Sequence, residues 1–115
     1  MNIDNAKSQM RKGMLEYCVL LLLSRSAFYT NDIIQRLKEA DLIVVEGTLY
    51  PLLTRLKKEG LLTYEWQESA QGPPRKYYAL TVTGREALAA MEETWNSLTK
   101  TVEILKYIIS WQVNK

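Results

Sequence analysis

The chain has no histidine and a single cysteine. The usual zinc ligands are therefore missing, and a disulfide within the chain is impossible. The imidazole base on which most Ser and Cys nucleophiles depend is missing too. A long apolar run is also lacking. Val19 to Leu23, extended back to Met14 through Glu16, gives about ten residues, too few to span a bilayer. No small-residue cleavage site follows it, so the basic pair Arg11-Lys12 ahead of it does not open a secretory signal. These absences point away from an enzyme, a metal protein and a membrane protein. They leave a cytoplasmic protein with no cofactor, in which Cys18 is an inert core residue.

What is present is one domain's worth of chain: 115 residues, 47% of them hydrophobic. That is enough to bury a core and too apolar for disorder. The net charge of +2 and a pI near 8.7 neither require nor exclude nucleic acid, because the location of the charge decides. Cations gather at Arg11-Lys12, Arg55-Lys57-Lys58 and Arg75-Lys76.

The most informative stretch is Glu46 to Gly60, EGTLYPLLTRLKKEG. Leu49, Leu52, Leu53 and Leu56 fall on one helical face. Tyr50, Pro51, Thr54, Arg55 and Lys58 fall on the other, where hydroxyls, an apolar ring and cations stand without an acid. That face suits a helix lying in the major groove of double-stranded DNA. Gly60 is placed to take the left-handed conformation that ends the helix. Pro51 fits best if the helix begins with Thr48 as its cap; an earlier start puts an irregularity at Pro51.

Around this helix the pattern predicts a first helix from about Asn5, as N-cap, to Ser24. A second runs from Thr30, as N-cap, to Ala40. Leu42 to Val45 reads as a brief β-branched strand. Leu62, Tyr64 and Trp66 alternate with polar residues as a strand, Ser69 to Pro74 is turn chemistry too long for a tight loop, and Arg75 to Leu80 returns. Thr83 and Glu86 form a capping box, with Thr81 as a competing cap, before a helix that runs to about Val113. The expected fold is mainly α (α+β): a winged helix-turn-helix in residues 1–82 with a long dimerisation helix in residues 83–115, the two forming one compact unit.

In that last helix Leu88, Met91, Trp95, Leu98, Val102, Leu105 and Ile109 recur at alternating steps of three and four. This is a heptad seam for a second helix, and it implies a homodimer. Two copies would read paired half-sites about one DNA turn apart, a pseudo-palindromic operator, which one small module lacks the contacts to do alone. Trp95 would face its own symmetry mate. A gap between two indoles there would accept a flat aromatic ligand, with Glu92 about one turn away favouring a cationic one. The competing reading is a winged helix that docks a protein partner without touching DNA.

GTLYPLLTRLKKEGLL, followed by GPPRKYYALTVTGREAL, resembles the PadR family of bacterial transcriptional regulators over nearly the whole chain. The shared features are a Leu-Tyr-Pro start to the recognition helix, a Gly-Leu lead into the hairpin, an Arg-Lys-Tyr-Tyr return strand and a Leu-Thr-x-x-Gly start to the last helix. The single short C-terminal helix resembles that of the small members. The resemblance implies a homodimeric winged-helix repressor, dimerised through its N- and C-terminal helices and released from DNA by a small molecule. It further implies that Thr48, Tyr50 and Pro51 meet the groove and that Arg75 and Lys76 of the wing meet DNA. Some members hold flat aromatic compounds between tryptophans at the position of Trp95, and Tyr17 points into the same space.

Overall fold

A computed structural model describes the backbone of residues 1–113 and the side chains as far as Ile108. The elements follow one another as α1 (Ile3–Leu23), β1 (Phe28–Tyr29), α2 (Thr30–Glu39), α3 (Glu46–Lys58), β2 (Leu62–Ser69), β3 (Gly72–Leu80) and α4 (Val82–Val113). The sheet is antiparallel in the order β1-β3-β2. Leu15, Val19, Leu20 and Leu23 of α1 meet Ile33 and Leu37 of α2, the leucines of α3, and Leu62, Tyr78, Leu80 and Leu88 in one core. The four leucines of α3, at positions 49, 52, 53 and 56, are all buried, as their spacing predicts.

Several boundaries differ from the sequence reading, each for a physical reason. Asn2, not Asn5, caps α1: its side chain accepts the Asn5 amide at 3.1 Å. Thr30 is not a cap but the first residue of α2, and its side chain is buried. Leu42 to Val45 is not a strand. Leu42 and Val44 pack on the core, but the free edge of β3 is taken by Phe28 and Tyr29, which leaves that segment no ladder to join. Strand propensity reports a fit to a half-buried surface, not pairing itself.

Helix α3 starts at Glu46 and not after Thr48, so Pro51 lies inside it. Its missing N–H leaves the Gly47 carbonyl without the usual donor. At the other end Gly60 takes φ +81°, and the Leu61 and Gly60 amides donate to the carbonyls of Leu56 and Lys57 at 2.9 and 3.0 Å. This double closure needs a left-handed residue, which glycine supplies without strain.

The hairpin is longer and tighter than its composition implies. Gly72, Pro73 and Pro74 belong to β3, Ser69 pairs with Gly72, and only Ala70 and Gln71 turn, with an irregularity between Gln67 and Ser69. The prolines are tolerated because β1 reaches only Tyr77 and Tyr78, so one edge of β3 is open beside them.

Thr81, rather than Thr83, caps α4. Its hydroxyl accepts the Gly84 amide at 2.9 Å and donates to the Gly60 carbonyl at 2.6 Å, while its own amide donates to Leu61. A side chain at position 84 would have its Cβ 2.1 Å from the Leu61 carbonyl oxygen, so the first turn of α4 approaches this closely only because residue 84 is glycine. From there α4 runs out of the body, giving a molecule of 65 × 29 × 22 Å.

The heptad seam divides. Leu88 is buried in the chain's own core, and Met91 packs partly against that core and partly lines the space between α1 and α4. Trp95, Leu98, Val102 and Leu105 remain exposed, together with Ile104, Tyr107 and Ile108. Ile109, the last seam position, lies outside the described side chains.

Candidate nucleic-acid interface

On the outer face of α3, Tyr50, Pro51, Thr54, Arg55 and Lys58 line one shallow concavity. The sequence reading groups the same residues. Thr48 is set apart. It borders a neighbouring depression with Ser8, Arg11, Lys12, Ile43 and Val45, so the basic pair of α1 stands beside the start of the recognition helix.

Arg75 and Lys76 do not act as one pair at the base of the wing. Consecutive strand residues point to opposite faces, and each cation finds a different aromatic surface. The Arg75 guanidinium lies 4.7 Å from the centre of the Tyr29 ring, on the β1 side. The Lys76 ammonium lies 4.3 Å from Tyr64 and 5.1 Å from Trp66. Register explains the second contact, since Trp66 is directly opposite Lys76 and Tyr64 opposite Tyr78. Lys57 reaches the same Tyr64 ring from α3 at 5.0 Å. A cation over a ring face is held by the ring's negative quadrupole while its other N–H groups stay free for an acceptor. Lys57 of α3 and Lys76 of the wing thus share one surface, while Arg75 stands on the other face of the hairpin beside Tyr29.

Lys57 and the exposed indole of Trp66 are additions to the predicted set. Lys57 gives little signal in the sequence because it flanks the buried Leu56 instead of lying at the centre of the outer face. Trp66 is marked only by the alternation it shares with Tyr64, which becomes informative once the hairpin register is known.

Arg55 is the exception among the outer residues. Its Nη1 donates to Glu59 Oε1 at 3.1 Å and its Nη2 is ion-paired with Glu16 of α1. Tyr78 sits beneath the wing. Burial, then its neighbours Tyr64 and Tyr50, push its phenol above the ordinary value.

A second candidate site lies between α1 and α4. Gly13, Met14, Tyr17, Met91, Trp95 and Leu98 enclose an open apolar cavity of about 270 Å³. Tyr17 and Trp95 face each other with ring centres 6.3 Å apart and planes inclined by 45°. Glu92 does not line this cavity; it borders a groove with Cys18, Arg25 and Arg85 instead. It therefore stands about one turn from Trp95 as its spacing predicts, outside the lining of the cavity. Its charge still reaches Tyr17, whose phenol is raised by burial first, then by Glu92 and Cys18.

A helix pair whose second member lies outward, beside a hairpin whose Lys76 meets the helix's Lys57 over one ring, defines a winged helix-turn-helix DNA-binding transcriptional regulator. The chain matches the transcriptional regulator PadR-like family over residues 19–90. It is 64% identical to a PadR-like transcription factor of known structure from Bacteroides fragilis, covering 88% of this chain and 98% of that one, with a TM-score of 0.76. A PadR-like transcriptional regulator from Bacillus cereus is 38% identical, with coverages of 84% and 95% and a TM-score of 0.76. A Streptococcus transcriptional regulator is 36% identical, with coverages of 85% and 97% and a TM-score of 0.78. The chain belongs to the PadR-like family of transcriptional regulators, which are not enzymes. No helix among the described residues is long and apolar enough to cross a membrane.

Proposed function

We propose that the protein is a cytoplasmic homodimeric repressor that binds a pseudo-palindromic operator and is released from it by a flat aromatic effector. The observation that carries the DNA-reading part is the Tyr64 ring shared by Lys57 and Lys76, which puts helix and wing on one face. Thr48, Tyr50, Pro51, Thr54 and Lys58 then enter or border the major groove, where Pro51 and Tyr50 meet thymine methyls and Thr54 a base edge. Arg75, Lys76 and Lys57 hold the flanking backbone, since phosphate contacts position the protein and base contacts specify the sequence. Arg55 shares the face with its guanidinium already engaged by two carboxylates.

Dimerisation through Trp95, Leu98, Val102 and Leu105 is supported by their exposure, which a solitary chain would leave in water at about 25 cal/mol per Å². In such a dimer the helices of the N-terminal bodies present two reading heads, and a promoter so covered is closed to transcription. The effector enters beside Tyr17 and Trp95, in a cavity the size of a small planar ring system. A mobility-shift titration tests the reading. Binding to a fragment of the protein's own upstream DNA should exceed binding to random duplex and fall steeply with salt. Equal affinity for both fragments sinks it.

A further inference from the structure

Arg55 lies in the middle of the DNA-facing concavity, yet it is the one outer cation of α3 whose terminal nitrogens are both directed at carboxylates. Glu59 comes from its own helix, one turn on, as an i,i+4 partner. Glu16 comes from α1, far off in sequence and brought in by the packing of the core helices. Together the two acids outweigh the single charge of the guanidinium they hold. A phosphate approaching Arg55 meets two carboxylates already in its place.

We propose that Glu16 withholds Arg55 from the DNA backbone and so keeps sequence-independent binding weak. Glu16 is a positioning residue in this scheme: it touches no DNA and acts only through the guanidinium it holds. The inference rests on the reading of α3 and the wing as the DNA-facing surface. Both partners are partly exposed, Arg55 at 48% and Glu16 at 36% of the side chain. The pair is therefore open to solvent and to competition, which a buried pair would not be. Lys57, Lys58 and Lys76 make no ion pair with an acid among the described residues, so non-specific attraction falls to them. The arrangement separates the cations that anchor from one that is kept back.

The consequence is unusual in sign, because removing an acid on α1 adds a contact on α3. With a random-sequence duplex as probe, Glu16→Gln should tighten binding several-fold at low salt. It should also steepen the dependence of log K on log salt by about 0.9, the increment for one more phosphate neutralised. Glu16→Ala should do the same, which guards against a fault peculiar to the amide. In an Arg55→Ala background the general gain from losing a negative charge persists, but the extra slope should vanish. An unchanged slope in Glu16→Gln and Glu16→Ala overturns the proposal, as does a steeper slope that survives in Arg55→Ala. Lys58→Ala and Lys76→Ala serve as reference variants. If both leave random-duplex binding unchanged, the DNA-facing surface itself has been misplaced. If they weaken it while the Glu16 variants do nothing, only the role of Glu16 fails.

Discussion

Lys57 of α3 and Lys76 of β3 stand over the same aromatic ring, that of Tyr64, at 5.0 and 4.3 Å from its centre. Neither distance is visible in the sequence, where nineteen positions separate the two lysines. Tyr64 is in turn edge-on to Trp66 and inclined to Tyr78, with ring centres 6.3 and 5.8 Å away. The ring therefore fixes where the two cations stand relative to each other. Lys57→Ala and Lys76→Ala should each lower the salt slope of duplex binding by about 0.9. Tyr64→Leu should weaken binding although it removes neither charge, because the mutual placement of the two lysines is lost. A Tyr64→Leu protein that binds as well as the wild type would show that the ring only packs.

The exposed stripe on α4 predicts a dimer that one charge disrupts. Leu98→Asp or Val102→Asp buries a carboxylate in an apolar seam and should shift sedimentation from dimer to monomer at micromolar concentration. The salt slope should fall to roughly half, since one head then makes half the phosphate contacts. Leu88→Asp should instead unfold the chain, because Leu88 lies in its own core.

Two glycines carry different loads. Gly60→Ala forces a side chain into the left-handed region at φ +81° and should cost about 1–2 kcal/mol, read as a fall in Tm. Gly84→Ala keeps a helical backbone but drives a Cβ against the Leu61 carbonyl oxygen. It should cost about 1–3 kcal/mol or more and displace the start of α4. Equal Tm for Gly84→Ala and the wild type would mean that α4 is free to move off the hairpin.

Alkaline titration should report on the ring beneath the wing. Burial raises the Tyr78 phenol above its ordinary 10.0, so the folded state holds that proton more tightly than the unfolded chain. The stabilisation is complete below the unfolded value and is lost as pH rises through the folded one. Denaturant midpoints should therefore decline above about pH 10, less steeply in Tyr78→Phe. A Tyr78→Phe curve parallel to the wild type would place the alkaline loss elsewhere.

The cavity beside Trp95 can be tested by fluorescence in a chain with Trp66 and Trp111 replaced by Phe. Flat aromatic compounds should quench the remaining indole and lower affinity for DNA in the same concentration range. Trp95→Ala should lose the binding, and Tyr17→Ala, which opens the space facing it, should change ligand size preference. Equal ligand binding in Trp95→Ala would remove this cavity from consideration.

Features set by local periodicity are legible in the residue pattern alone. The leucine face of α3, the left-handed Gly60 and the alternation of Leu62, Tyr64 and Trp66 each depend on residues within a few positions. What escapes the pattern depends on competition between distant segments. Phe28-Tyr29 and Leu42–Val45 are both capable of pairing, and only the fold decides which reaches the edge of β3. Thr81 and Thr83 are both competent caps, and Thr81 prevails because it also reaches the Gly60 carbonyl. Arg55 looks like its lysine neighbours in the sequence, since the acid that changes its character, Glu16, arrives on another helix. The heptad spacing of α4 is present in the residue order, but its first turns serve the chain's own core.

Thr81 closes the end of α3 with one hydrogen bond and opens α4 with another, so a single side chain ties the two helix ends together. With 32 residues, α4 is an arm about 48 Å long, and a tilt of about 5° at its root displaces its tip by roughly 4 Å. Were two such arms paired as proposed, a small wedge between them would become a rotation of both heads, in the manner of a pair of calipers. A planar molecule slipped in beside Trp95 would then need to recognise nothing about DNA to spoil its reading; a change of span is enough.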